Sequence, residues 1–261
     1  MAEQTGGFFW YELMTGDVAA AQDFYGPMLG WTFSDHPGGM DYKTFGTDEG
    51  DVGGMMALTE EMKDGGARPA WVGYIHVADV DAKLAEAVAA GGAELMPATD
   101  VPEVGRLAML ADPSGAPFYI MTPSGDDGES KAFAKHEPME GHCSWNELSS
   151  ADPMRAEAFY TGLFGWEHAE SMEMGDIGEY RMYRADDYML GGMMKKPEAM
   201  PVSLWSFYFR VPDIEKAAAY IADKGAQVIM GPIEIPGGEY SLEGIDPQGA
   251  MFSIIGKRSE G

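Results

Sequence analysis

The chain has 261 residues, of which 45% are hydrophobic, and its 43 acidic and 17 basic residues give a formal net charge of −26. The length fits about two domains, and a single cysteine, Cys143, excludes an internal disulfide and a thiolate metal cluster. This negative charge repels phosphate backbones and anionic membrane surfaces, so we expect neither nucleic acid nor a membrane as partner. No apolar run is long enough for a transmembrane helix and the N-terminus lacks a signal-peptide pattern, so we expect a cytoplasmic protein.

The first predicted elements form a strand, a helix and three further strands. Residues 9–14 alternate in polarity as a strand does. Asp17 is the predicted N-cap of a helix that ends near Gly30. Short strands are then predicted near residues 31–34, 41–46 and 52–58.

A second unit of the same kind follows directly. It begins with a strand over residues 71–77, and Asp79 is the predicted cap of a helix through Ala90 that Gly91 and Gly92 close. Strands near 93–96, 106–111 and 117–122 complete it. The order βαβββ therefore occurs twice before residue 123.

The sequence then repeats itself. Residues 6–33 align with residues 141–168 at an offset of 135 without a gap. We predict an α+β fold with four βαβββ modules in two tandem domains, residues 1–123 and 141–258, joined by a linker over 124–140. The identical pairs include Trp10/Trp145, Glu12/Glu147, Leu13/Leu148, Asp17/Asp152, Phe24/Phe159, Tyr25/Tyr160, Gly30/Gly165 and Trp31/Trp166.

These motifs resemble the vicinal oxygen chelate superfamily, that is, the glyoxalase/bleomycin-resistance/dioxygenase fold. The resemblance rests on three segments that occur in both halves: Asp17 to Trp31, Val77 to Gly92, and the Asp-Pro-x-Gly turn that begins at Asp112. Within the superfamily the chain resembles tandem glyoxalase-like proteins that carry hydroxylase or antigen labels. The resemblance implies curled mixed sheets that form concave pockets, and a divalent metal held there by His and Glu side chains.

The family's metal positions fall on residues that bind such metals poorly. None of them is His, Asp or Glu, so we expect no cofactor and no metal. A relocated site built from Glu12 and His76 has too few ligands. Counted from the aspartate landmarks, the family's positions are Trp10, Val72, Tyr119 and about Met55 in the first half, and Trp145, Ser206, Ser253 and about Met193 in the second.

Period-2 alternation predicts which side chains line the concave faces, because the apolar phase of each strand should face the helices. Glu12, Glu147 and His76 are also the candidate catalytic groups. The predicted ligand-binding residues are Trp10, Glu12, Tyr74, His76, Tyr119, Trp145, Glu147, Ser206, Tyr208, Arg210 and Ser253.

Two interpretations stay open for each kind of candidate. The glutamates either accept hydrogen bonds from backbone, Tyr, Arg or Trp groups, or recognise a ligand and act as general bases. Trp10 and Trp145 either fill the pocket or stack on a flat ligand. His76 is either a hydrogen-bonded strand-end histidine or a ligand contact. We expect Cys143 to be a buried thiol, and His142, like the other loop histidines, to be exposed.

The sequence thus predicts a small-molecule-binding protein of this fold without the family metal, as a monomer or homodimer. One alternative is a metal-dependent glyoxalase-type lyase or dioxygenase with relocated ligands, which as an enzyme would be a lyase, isomerase or oxygenase. A further alternative is a regulatory protein-binding module with vestigial pockets. Whether a pocket forms within one half or across the two is open.

Overall fold

The computed structural model describes residues 5–36, 41–125 and 129–259. Its elements follow the predicted order βαβββ in each of four modules. The elements are β1 (Phe8–Thr15), α1 (Val18–Leu29), β2 (Thr32–Asp35), β3 (Tyr42–Thr47), β4 (Gly50–Ala57), α2 (Glu60–Asp64), β5 (Ala70–His76), α3 (Val80–Ala89), β6 (Ala93–Val101), β7 (Gly105–Ala111), β8 (Pro117–Pro123), β9 (Cys143–Ser150), α4 (Pro153–Phe164), β10 (Glu167–Glu173), β11 (Glu179–Ala185), β12 (Tyr188–Lys195), β13 (Leu204–Val211), α5 (Ile214–Asp223), β14 (Gln227–Ile235), β15 (Glu239–Ile245) and β16 (Met251–Gly256).

The strands form two eight-stranded mixed sheets, which confirms the predicted α+β class. Their orders are β2-β3-β4-β1-β5-β8-β7-β6 and β10-β11-β12-β9-β13-β16-β15-β14. The first and last strands of each module pair in parallel, as β1 does with β4. Within the described ranges no helix has the length and apolar character needed to cross a membrane. The domain boundaries at 1–123 and 141–258 stay a prediction.

Aspartates begin the four long helices, as the sequence predicts for Asp17 and Asp79. The Asp17 carboxylate accepts a hydrogen bond from the Ala20 N–H, and the other three aspartates cap in the same way. Helices α1 and α4 end at Gly30 and Gly165, where φ is 70°, a left-handed conformation that favours glycine. The short helix α2, capped by Thr59, was not predicted, because a single turn has no apolar periodicity.

Register and ring contacts assign the two faces of each sheet. On the first strand Tyr11 and Leu13 lie on the helix side, and Trp10 and Glu12 lie on the opposite side. We call the side that bears Glu12 in the first sheet and Glu147 in the second the carboxylate face. Met55 pairs with Leu13, so it lies on the helix side, and its neighbour Gly54 lies on the carboxylate face. Met193 lies on the helix side in the same way, because it pairs with Leu148.

The described chain forms two compact units, and each contains modules from both sequence halves. The first unit comprises Met1–Phe9, Val72–Ser130 and Trp145–Trp205. At its centre the fully buried Tyr160 lies parallel to Trp166, with ring centroids 5.1 Å apart. Its hydroxyl accepts a hydrogen bond of 2.8 Å from Trp205 Nε1. Burial, and then the nearby Asp112 charge, raise the pKa of Tyr160 well above its ordinary value.

The second unit comprises Trp10–Trp71, Lys131–Ser144 and Ser206–Gly261. Its centre has the same construction around Tyr25, whose hydroxyl donates to Asp246 Oδ2 at 2.9 Å and accepts from Trp71 Nε1 at 3.2 Å. The other oxygen of Asp246 accepts from the backbone N–H groups of Gln248 and Ala250. Each Asp-Pro-x-Gly aspartate thus shapes its own turn and also faces a buried tyrosine, which joins two modules.

The buried His142 holds the segment before β9 in place through two hydrogen bonds. His142 is fully buried, so the expectation that it is exposed is wrong. Its Nε2 lies 2.8 Å from Thr47 Oγ1, and its Nδ1 lies 2.7 Å from the Lys131 carbonyl oxygen. Since a carbonyl only accepts, Nδ1 donates and Nε2 accepts the Thr47 hydroxyl proton. Cys143 is buried, as predicted.

We expect Tyr160→Phe and Tyr25→Phe to lower the free energy of unfolding by about 1–3 kcal/mol each, because a buried indole N–H and a buried aspartate lose their shared hydroxyl. Urea unfolding measures the loss. The control is Tyr220→Phe, whose half-buried hydroxyl donates only to backbone carbonyls of α1. A loss at Tyr25 and Tyr160 no larger than at Tyr220 would contradict this role.

We expect the stability of the protein to fall as the pH falls below about 6.5, the ordinary histidine value. Burial lowers the pKa of His142, so the unfolded chain binds this proton more readily than the folded chain. The stabilisation is therefore complete above pH 6.5 and is lost as the pH drops toward the lowered value. Urea midpoints of the wild type and His142→Gln across pH 5–8 measure it, and a variant with the wild-type slope would refute it.

Candidate functional site

A hydrogen-bonded chain of three side chains occupies the carboxylate face of the third module. Trp145 Nε1 donates to the Tyr180 hydroxyl at 2.7 Å, and this hydroxyl donates to Glu147 Oε2 at 2.8 Å. Glu147 is only 8% exposed. A buried carboxylate held in this way has a fixed orientation, which is the property that a recognition group needs.

The sequence provides room for this cluster with a glycine. Gly192 on β12 pairs with Glu147 on β9, and a Cβ added at Gly192 would overlap the Tyr180 ring. The tyrosine ring therefore lies flat across the glycine and reaches the carboxylate. The Gly-Gly-Met segment has a packing role here and no phosphate-binding one.

The first module repeats the arrangement in the other unit. Trp10 Nε1 donates to the Tyr42 hydroxyl at 3.0 Å. Gly54 pairs with Glu12, and a Cβ at Gly54 would overlap the Tyr42 ring. Glu12 is 3% exposed. We call these two sets, Trp145–Tyr180–Glu147 and Trp10–Tyr42–Glu12, the Trp–Tyr–Glu clusters.

The other candidates of the first half lie together in the first unit. Tyr74 and Tyr119 pair across β5 and β8, and their rings stack with centroids 4.3 Å apart and planes 10° from parallel. His76 lies two residues further along the same face, with its ring edge-on to Phe9 at 5.6 Å. All three candidates are buried. Among the described residues, these three side chains and Phe9 form an aromatic patch.

The corresponding residues of the second half form a polar patch in the second unit. Tyr208 pairs with Ser253, and its hydroxyl donates to Glu243 Oε1 at 2.6 Å. Arg210 forms a two-pronged ion pair with Glu239, with N–O distances of 2.5 and 2.8 Å. This ion pair lowers the pKa of Glu239 below its ordinary value. Ser206 lies half-buried on the same strand.

A divalent metal does not fit the donor set at the family's positions. Trp10 and Trp145 present indole N–H groups that already donate to tyrosines, and an indole nitrogen has no lone pair to offer. Val72 has no donor atom, and Ser253 binds such ions weakly. In the parts of the chain that the structure describes, no three His, Cys, Asp or Glu residues are grouped so that they could hold a metal.

Sequence reasoning missed the tyrosines of the clusters and the acidic partners Glu239 and Glu243. A signal for the tyrosines was present, because Tyr42 and Tyr180 each precede the second glycine of a Gly-Gly pair by twelve residues (54 − 42 and 192 − 180). The acidic partners differ between the halves, so the repeat could not reveal them.

A surface depression of about 540 Å³ lies elsewhere in the first unit, beside the start of α3. Its lining includes Arg106, which pairs with the exposed Asp81 and Asp100. Exposed ion pairs of this kind contribute little to stability. None of the predicted site residues lines this depression.

Duplicated βαβββ modules that form two eight-stranded mixed sheets define the class of fold to which this chain belongs. The model of the Glyoxalase/Bleomycin resistance protein/Dioxygenase superfamily matches residues 7–120 and 141–254. The chain belongs to this superfamily, as the resemblance of its sequence motifs indicates.

Similar proteins include bacterial relatives of nearly equal length. "Putative glyoxylase CFP32" of Mycobacterium tuberculosis is 36% identical over 249 residues, which are 94% of this chain and 93% of the relative. "Anthracycline biosynthesis protein DauV" of Streptomyces sp. strain C5 is 29% identical over 263 residues, at 94% and 91% coverage.

Two solved structures share the fold alone, since their identities are low. The Mn(II)-bound glyoxalase from Novosphingobium aromaticivorans has a TM-score of 0.64 at 17% identity, covering 98% of this chain and 84% of its own. The 2,2',3-trihydroxybiphenyl 1,2-dioxygenase from Sphingomonas wittichii has a TM-score of 0.65 at 11% identity, with coverages of 98% and 91%.

We expect Tyr180→Phe to lower the free energy of unfolding by about 1–2 kcal/mol, because it removes the hydroxyl that joins Trp145 to the buried Glu147. Gly192→Ala should perturb the same cluster by pushing the ring aside. Urea unfolding and the indole N–H resonance of Trp145 measure both effects. An unchanged Trp145 resonance in both variants would contradict the hydrogen-bonded chain.

Proposed function

We propose that the protein binds a small organic molecule on its carboxylate faces through the Trp–Tyr–Glu clusters, without a metal at the family's positions. The observation that carries this proposal is the Trp145–Tyr180–Glu147 chain, which places a fixed carboxylate beside an indole. An indole face favours flat or apolar molecules. The carboxylate favours a molecule that also donates a hydrogen bond.

The burial of Glu147 supports a recognition role. Glu147 is 8% exposed, and burying a carboxylate costs free energy that burying a leucine would not, so the side chain is poorly explained by packing alone. The same position is glutamate in both halves, at Glu12 and Glu147. In the proposal these two groups, and His76, are also the candidate bases for a bound molecule.

The relatives favour a flat molecule. DauV and DnrV of two Streptomyces strains are named anthracycline biosynthesis proteins, and anthracyclines are flat fused-ring aromatics. Both match 94% of this chain. We therefore propose a flat aromatic compound with hydroxyl or amine substituents as the class of ligand.

We expect neutral flat aromatics such as 1-naphthalenemethanol or hydroxyanthraquinones to raise the melting temperature and to bind in calorimetry. Glu147→Gln and Tyr180→Phe should weaken binding about tenfold, the loss of one charge-assisted hydrogen bond. The control is Glu167→Gln, which makes the same chemical change on the exposed strand β10. If no compound of this class binds, or if the control weakens binding equally, the proposal is wrong.

Elemental analysis of protein purified without chelators separates this proposal from a metalloenzyme. The proposal predicts less than about 0.1 equivalent of Ni, Zn, Fe or Mn, because a resident metal of this family would stay bound through purification. One equivalent of any of them would instead support a glyoxalase-type lyase or dioxygenase with relocated ligands.

A further inference from the structure

The two halves differ in the cross-strand row that contains the tyrosine of the inner strand, which is Tyr74 in the first half and Tyr208 in the second. Across β5, β8 and β7 the first half places Tyr74, Tyr119 and Met109 in one cross-strand row. The second half places Tyr208, Ser253 and Glu243 in the corresponding row across β13, β16 and β15. Both rows contain a tyrosine on the inner strand. Its partners are the Tyr119 ring and the Met109 thioether in the first half, and the Ser253 hydroxyl and the Glu243 carboxylate in the second.

The change redirects the retained tyrosine. In the first half Tyr74 stacks on Tyr119. In the second half Ser253 offers no ring, and the Tyr208 hydroxyl donates to Glu243 at 2.6 Å, a short charge-assisted hydrogen bond. Tyr208 thereby fixes the orientation of Glu243.

Glu243 is a buried carboxylate with a tyrosine as its side-chain partner. It is 9% exposed, and within the described ranges its one hydrogen bond comes from Tyr208 and it forms no ion pair. Arg210, which lies two residues beyond Tyr208 on β13, is already paired with Glu239. A buried carboxylate without a counter-ion is costly unless a cation or further donors reach it.

We propose that Glu243, oriented by Tyr208, selects a ligand that carries an ammonium group at the polar patch of the second unit, whereas Met109, at the equivalent position of the aromatic patch in the first unit, favours an uncharged ligand. This inference rests on the proposed function and adds the charge of the ligand to it. Glu243 is thus a specificity-determining residue that distinguishes the two halves.

Two probes of equal shape test the proposal, namely 1-naphthylmethylamine, which is cationic at pH 7, and 1-naphthalenemethanol, which is neutral. Calorimetry at about 0.15 M salt screens the general attraction of the acidic surface for amines. We expect the wild type to bind the amine about tenfold or more tightly than the alcohol. Glu243→Gln should remove most of this preference, because it weakens binding of the amine far more than binding of the alcohol.

Control variants distinguish an effect of Glu243 on the preference from an effect of the protein's overall charge and from loss of folding. Glu234→Gln on β14 makes the same charge change at an exposed position and should keep the preference. Tyr208→Phe keeps the carboxylate but removes its orienting hydroxyl, so it should reduce the preference several-fold. Urea unfolding establishes that each variant is folded, and Tyr208→Phe carries the test if Glu243→Gln does not fold.

The remaining outcomes would contradict the inference, and one of them would also contradict the proposed function. If the wild type binds both probes equally, or the preference survives both Glu243→Gln and Tyr208→Phe, the inference is wrong while the proposed function stands. If Glu234→Gln also abolishes the preference, general charge and not Glu243 is responsible, and the inference is again wrong. If neither probe binds the wild type, the proposed function fails and the inference fails with it.

Discussion

The buried tyrosine–aspartate contacts are the constraint on which each compact unit depends. Tyr25 donates to Asp246 in one unit, and Tyr160 faces Asp112 in the other. Both aspartates also order the turn before the last strand of a module. A polar group at the centre of a core is tolerated only when its partners are in place, so these contacts fix how two modules pack inside each unit. The positions of the strands that form the carboxylate faces therefore depend on this packing.

The helix side of each sheet is used for packing, and the opposite face carries the residues of the proposed binding site. There the chain places Tyr42 and Tyr180 across glycines, and Tyr180 joins the Glu147 carboxylate to the Trp145 indole. Duplication explains why both halves keep this cluster. It does not explain the replacement of Met109 and Tyr119 by Glu243 and Ser253, which gives the halves different electrostatic character.

Much of the fold follows from the sequence because its signals are local. Aspartate caps, glycines after helices and period-2 strands predict the four modules, and the repeat strengthens each assignment. Side-chain partnerships depend on register, which the sequence did not provide. Met55 and Met193 lie on the helix side, whereas Gly54 and Gly192 beside them lie on the carboxylate face, and a position known only to within one residue does not distinguish the two. His142 was expected to be exposed because no local pattern reveals that Thr47 and the Lys131 carbonyl enclose it.

The most direct test of the central claim uses the six tryptophans as reporters. Trp10 and Trp145 belong to the Trp–Tyr–Glu clusters, whereas Trp31, Trp71, Trp166 and Trp205 pack on the helix side. In a ¹⁵N-indole NMR titration with 1-naphthalenemethanol, we expect saturable shifts of the Trp10 and Trp145 resonances and none at the other four. Shifts confined to the helix-side indoles, or no shift at any indole, would contradict the claim.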